Sequence, residues 1–304
     1  MRKPGHFGRQ LFGLIIGIIA LSSAPAYAQG IITTVAGNGT RGFSGDGGLA
    51  TNALLNMGEF TGGVAVDAAS NLYIADTRNH RVRKVTSSGM ISTVAGNVLA
   101  GFSGDGGPAI SASLNSPAGV GIDAAGNLYI VDTGNQRIRK VNPNGTISTA
   151  AGNGVAGYAG DQGSATNASL HFNRYTGNCA IDSAGNLYIP DTENHSIRKV
   201  GTDGTITTVA SVHWPYSVAA DAAGAIYIGG EDGVIVKVNA NGTRTDVAAG
   251  LNVPAGVALD RAGNLYIADS HNHRVRKADP NGVTKIIAGS GDPIFDIFDG
   301  YVFV

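Results

Sequence analysis

Cysteine is nearly absent: Cys179 stands alone in 304 residues, so no disulfide within one chain staples the fold and stability has to come from packing. Tryptophan is as scarce, with one residue, and there are only ten prolines. Charge is low too, at 14% of residues with a formal net charge of −1. That argues against the strongly basic surface a polyanion requires, so no nucleic-acid partner is expected. No apolar run is long enough to cross a bilayer as a helix: residues 11–21 make up eleven positions, against the roughly 20 needed. The motifs of phosphate loops, zincins and hydrolase elbows are missing.

Glycine, by contrast, is abundant, with 46 residues. It shows no three-residue period, and 43% of the chain is hydrophobic, so the composition is that of a folded, turn-rich protein. The first 28 residues differ from the rest. Arg2, Lys3 and Arg9 precede the apolar run, and Ala26-Tyr27-Ala28 supplies small residues before Gln29. This predicts a secretory signal over residues 1–28, one mature domain over 29–304, and a secreted, periplasmic or extracellular location without stable membrane insertion after cleavage. Removing the signal takes away three basic and no acidic residues, leaving the mature chain mildly acidic.

Internal repetition dominates the remainder of the chain. Asn-Leu-Tyr-Ile-x-Asp occurs at 71–76, 127–132, 186–191 and 264–269, and a weaker copy begins at Ala225. The shortest spacing is 39 residues, and each unit holds four runs of about five β-prone residues between turn signals. No unit contains apolar residues at helical spacing over ten positions, which excludes helical solenoids. Four strands in 39 residues fit a propeller blade, a radial arrangement that protects sheet edges.

Behind each full copy comes Asn-His-Arg-Val-Arg-Lys-Val or a close variant, at 79–85, 135–141, 194–200 and 272–278. The whole motif resembles the NHL repeat over roughly residues 31–290. The resemblance implies an all-β fold, an NHL-type β-propeller, commonly of six blades. Complete strand sets begin near 63, 119, 178, 217 and 256, and residues 31–36 read as an orphan fourth strand. Six blades with an incomplete last one, to which 31–36 and a hairpin in 294–304 contribute, is the main expectation. Five blades closed by 31–36 is the alternative.

Two repeats carry extra residues ahead of their first strand. The inserts hold Gly-Phe-Ser-Gly-Asp-Gly-Gly at 101–107 and a decayed copy at 157–163, and 42–48 holds the same place before the first unit. Asp46, Asp105 and Asp161 are weak candidates for an oxygen-rich metal site, calcium or zinc being the ions considered, but one carboxylate per loop is far below a calcium cage. The plainer expectation is that each aspartate caps its own turn while Phe43, Phe102 or Tyr158 pins the loop. The Arg-Val-Arg-Lys-Val strands should place their basic side chains on solvated surfaces, by alternation.

Breaks in the repeat are more telling. Plain Pro-Ala-Gly precedes two first strands at 117–119 and 254–256, whereas the other three are preceded by segments holding Glu59, by His171, Arg174 and Tyr175, and by His213, Trp214 and Tyr216. These seven form the candidate ligand-contact set, expected at one mouth of the central channel, with aromatic faces for stacking and Arg174 for an anion. No catalytic residue is assigned. The function expected is a binding scaffold for a protein, peptide or glycan. The alternative, drawn from related propellers, is a metal-assisted lyase or lactonase using His171, His213 and Glu59.

Overall fold

The computed structural model describes residues 31–58 and 63–291. Twenty strands form five antiparallel four-stranded sheets, each a meander of consecutive strands. Blade 1 holds β1 (Val64–Val66), β2 (Leu72–Asp76), β3 (Arg81–Val85) and β4 (Ile91–Ala95). Blade 2 holds β5 (Pro117–Ile122), β6 (Leu128–Asp132), β7 (Arg137–Val141) and β8 (Ile147–Ala151). Blade 3 holds β9 (Ala180–Ile181), β10 (Leu187–Asp191), β11 (Ser196–Val200) and β12 (Ile206–Ser211). Blade 4 holds β13 (Pro215–Ala220), β14 (Ile226–Gly230), β15 (Ile235–Val238) and β16 (Arg244–Ala248). Blade 5 holds β17 (Pro254–Leu259), β18 (Leu265–Asp269), β19 (Arg274–Ala278) and β20 (Thr284–Ala288).

The described residues therefore hold five blades, each complete, and the expectation of six is corrected. Residues 31–36 form no strand. A strand exists only where a neighbour offers its backbone groups, and none among the described residues does so here. Side-chain burial wins instead: Ile31 and Ile32 stay exposed, while Val35 and Ala36 pack against Leu72, Ile74 and Ile91 of blade 1. Closure of a five-bladed ring by a strand at 31–36 is not seen either. The hairpin expected in 294–304 and the leader 1–28 lie outside the described residues.

The second strands explain why the repeat reads Leu-Tyr-Ile. Every residue of β2, β6 and β10 is buried, because a blade packs on both faces. Leu72 and Ile74 face the segment holding Ala50, Ala53 and Leu55, whereas Tyr73 and Ala75 join the cluster shared with Val120 and Ile130 of blade 2. The same division continues through blades 3, 4 and 5.

Before each second strand an aspartate builds the hairpin. Asp67 Oδ1 accepts the backbone N–H groups of Ala69 and Asn71, and its Oδ2 accepts Asn71 Nδ2 and the Tyr73 hydroxyl. Asp182 and Asp260 repeat this arrangement. At the centre, the first strands of blades 1 to 3 come close together. Asn178 donates from Nδ2 to Val64 O and accepts Val120 N–H on Oδ1, tying three blades with one amide. Gly119 is required there, since a Cβ would run into the backbone of Gly177 and Asn178.

Candidate functional site

After β2, the 3-10 turn Thr77–Asn79 ends at His80 in the left-handed region, and the same turn recurs in blades 2, 3 and 5. The repeated histidine position links blades. His80 Nδ1 accepts Ser116 N–H at 3.1 Å, Gln136 Oε1 accepts Phe172 N–H at 2.7 Å, and His195 Nδ1 accepts Trp214 N–H at 3.2 Å. Each acceptor thus fixes the segment leading into the next blade.

The repeated Asp and Arg form a buried lock. Asp76 accepts Asn56 N–H and Asn79 Nδ2, and Arg83 Nη1 lies 3.3 Å from its Oδ2. Arg83 also reaches Asp46 in the glycine loop at 2.7 Å and Ser44 O at 3.0 Å. Arg139 does the same with Asp132 and Asp105, and Arg198 with Asp191 and Asp161. All three arginines are 0% exposed, so the expected solvated basic stripe is wrong at these positions. The glycine loop covers the face that alternation left open. Burial raises Asp76 and Asp191 and pushes Asp132 up to about 6, against the downward pull of their asparagine, backbone and arginine partners.

Asp46, Asp105 and Asp161 accordingly serve as partners of their own blade's arginine. Asp46 and Asp105 also accept a threonine hydroxyl, from Thr93 and Thr149 at 2.7 Å, and Asp161 accepts Thr208 N–H at 3.1 Å. The aromatic residue three positions earlier stacks on arginine rather than entering the core: Phe43 lies 3.7 Å from Arg81 and 4.7 Å from Arg83, and Phe102 lies 3.8 Å from Arg137. Beyond its aspartate, each loop bonds the free edge of its blade's outer strand. Gly47 N–H donates to Ile91 O, and Ile91 N–H to Gly48 O. Among the described residues no group of three or more His, Cys, Asp or Glu side chains is placed to hold a metal ion. Cys179 is buried, and burial pushes its thiol up to about 12, making it a packing residue.

Of the candidate ligand residues, His213 and Trp214 lie at the junction of blades 3 and 4 and Tyr175 meets Tyr216 there, whereas His171 and Arg174 lie in the segment leading into blade 3 and Glu59 lies outside the described residues. In the connection from β12 to β13, His213 stacks on His195 at 5.2 Å with planes 1° apart. Trp214 lies 6.1 Å from His213 and 6.3 Å from His195, and Asp232 sits 3.2 Å from His213 Nδ1. His213 is 57% exposed and Trp214 partly so. Trp214 has φ 40°, a left-handed backbone that Ser116 and Val253 share at the same place before blades 2 and 5. Gly230 of blade 4 replaces the repeat's aspartate, and a Cβ there would meet Trp214 O at 2.6 Å. The broken repeat in blade 4 and the His-Trp connection are therefore one structural change.

Beside this stack, Asn173 Nδ2 donates to Glu193 Oε1 at 2.7 Å and Thr176 bonds Thr192 at 2.8 Å. The rings of Tyr175 and Tyr216 meet at 5.6 Å; Tyr216 is buried and Arg174 exposed. His171 is held through its backbone, its N–H donating to Asp191 Oδ1 at 2.6 Å. Sequence reasoning missed His195, Glu193 and Asp232 as members of this surface. The irregular turn at 229–233 was the available signal, since Asp232 lies in it.

Comparison with known proteins agrees with this geometry. A family model of the teneurin NHL domain matches residues 99–159, and one of the NHL repeat matches residues 251–278. Human teneurin-4 is 42% identical over 94 residues, 27% of this chain and 3% of that protein. Human NHL repeat-containing protein 2 is 30% identical over 156 residues, 48% of this chain and 21% of that protein. The chain thus spans a small part of the curated relatives it matches. Among solved structures, a gluconolactonase from Xanthomonas campestris superposes with a TM-score of 0.56 at 16% identity, over 76% of this chain and 77% of that one. A streptogramin B lyase gives 0.54 at 13% identity, over 75% and 68%. At such identities the likeness is one of fold. With the repeat motif, the two family matches and five meander blades in agreement, the chain is an NHL-repeat β-propeller protein.

Proposed function

We propose that this protein is an exported binding scaffold whose ligand surface is the junction of blades 3 and 4, and that the ligand is a protein, peptide or glycan. The observation that carries the reading is the His195-His213-Trp214 stack, partly open to solvent, at a place where the repeat needs only Ser116 or Val253. Structure alone would accept a small residue there. A partly exposed indole beside an imidazole and a carboxylate offers a stacking face with polar groups at its rim, the usual composition of a recognition surface. Tyr175, whose ring meets Tyr216, and the exposed Arg174 beside it in the chain are offered as further contacts.

The test is a glycan and peptide array probed with the mature protein and with Trp214→Ala. The variant should lose capture of the hits by about tenfold or more, as an anchor does, while its melting temperature stays within a degree or two of the parent. Equal capture by both proteins would rule this surface out. A lyase or lactonase reading finds one supporting feature, the exposed His213 imidazole oriented by Asp232. Metal analysis of the dialysed protein tests the metal-assisted form. Stoichiometric zinc or calcium, lost in His171→Ala with His213→Ala, would favour it over the scaffold.

A further inference from the structure

Blades 1, 2 and 3 show what the outer face of a blade receives. A glycine loop lays an aromatic ring over the arginines of the third strand, Arg198 alone in blade 3, gives an aspartate to the buried one, and bonds the edge of the outer strand through its backbone. Blades 4 and 5 have no such loop, because the connections leading into them are short. They have responded differently. Blade 4 has lost the receptor along with the loop: Val236 stands in place of the buried arginine and Gly230 in place of its aspartate. Its outer strand β16 exposes Arg244 and Asp246, charges that discourage strand addition.

Blade 5 keeps the receptor. Arg274, Arg276, Asp269 and Asn272 occupy the repeat positions of Arg81, Arg83, Asp76 and Asn79. Arg276 binds Asp269 through Nε at 2.6 Å and is 20% exposed, where its three counterparts are sealed. Asn79, Asn135 and Asn194 each donate to a loop glycine carbonyl, while among the described residues Asn272 bonds Asp269 alone. No aromatic ring covers Arg274 or Arg276 among the described residues. The outer strand β20 exposes Ile286 at 48% and Ile287 at 41% beside a single charge, Lys285, where β16 carries two.

We infer that the outer face of blade 5 is a docking slot for an extended, glycine-rich segment of a partner protein carrying an aromatic residue three positions ahead of an aspartate. The aromatic ring stacks on Arg274, the carboxylate pairs with the open side of Arg276, and the glycine backbone adds to the edge of β20. The three loops of this chain define that chemistry by occupying the equivalent place on their own blades. Ile286 stands where Thr93 and Thr149 donate a hydroxyl to the loop aspartate.

The probe is a fluorescein-labelled synthetic peptide copying residues 38–55, titrated into the full chain by fluorescence anisotropy. Saturable binding with one peptide per chain is expected, weakened at least tenfold by Asp46→Asn in the peptide. On the protein, Arg276→Gln should weaken it to a similar degree. Because Asp269 is buried against Arg276, the exposed position 286 supplies the variants that leave packing intact. Ile286→Glu should weaken binding at least tenfold and Ile286→Thr should strengthen it a few fold. Absence of saturable binding, or binding indifferent to both changes at 286, overturns the inference. Self-association of the chain abolished by Ile286→Glu, with no capture of the peptide, assigns the slot to a second copy and overturns it as well.

Discussion

At the scale of single residues, Arg83, Arg139 and Arg198 are the least expected feature, and each connects a strand, a turn and a loop. Alternation along β3, β7 and β11 predicts outward arginines, which is geometrically correct, but an outward side chain is not a solvated one where a loop lies over it. A signal for their burial exists in the sequence, because blade 4 loses the arginine, the aspartate and the loop together. Arg139→Ala leaves Asp132 buried without its cation and should cost about 3–5 kcal/mol, whereas Asp105→Asn removes a half-exposed partner and should cost about 1 kcal/mol or less. Urea denaturation of both variants checks the contrast. Acid acts on a different set. Burial alone would raise Asp182, but the bonds from Asn186, Tyr188 and Ala184 N–H outweigh it and hold its carboxyl below the ordinary 3.8; Asp67 and Asp260 behave alike. A depressed folded value means that their stabilisation is complete above 3.8 and is lost as pH falls through that lower value. Unfolding free energy measured from pH 5 to pH 2 should fall steeply below pH 4, and Asp182→Asn should flatten that slope.

At the scale of elements, the turn-rich composition resolves into hairpins and edge-covering loops. The starts of the five strand sets were legible to within about three residues, since Val, Ile and Tyr runs bounded by Asp and Gly turns leave little freedom. What could not be read was the fate of residues 31–36, whose composition is that of an outer strand but which meet no ladder partner among the described residues. The loops are held by shape as well as charge. Gly104 has φ 90°, and a Cβ there would meet Ala112 Cα at 2.7 Å, whereas at Gly106, with φ 83°, nothing lies within 4 Å. Gly106→Ala should therefore cost about 1 kcal/mol for the left-handed backbone alone, and Gly104→Ala distinctly more. Faster hydrogen exchange at the Ile147 amide, which donates to Gly107, would locate the damage in Gly104→Ala; equal exchange in both variants would contradict it.

At the scale of the whole molecule, regularity supplies the scaffold and its interruptions supply the specific chemistry. Five blades share one hairpin and one mode of packing, and all but blade 4 share one turn. The junction of blades 3 and 4 departs through His213, Trp214 and Gly230, and blade 5 departs by lacking a loop over an intact receptor. Six of the seven candidate residues lie among the described residues, and four of them, Tyr175, Tyr216, His213 and Trp214, make ring contacts near that junction because they flank consecutive first strands. Their partners His195 and Glu193 stayed hidden in sequence because they sit in a repeat position and a turn that otherwise look structural. Since Trp214 is the only tryptophan, its emission reports on the proposed surface without a label. Acrylamide quenching of Trp214, with and without the strongest array ligand, therefore probes the binding surface itself. Protection and an emission shift that saturate with ligand are expected; tight binding that leaves Trp214 emission and quenching unchanged would place the ligand elsewhere on the propeller and refute the assignment.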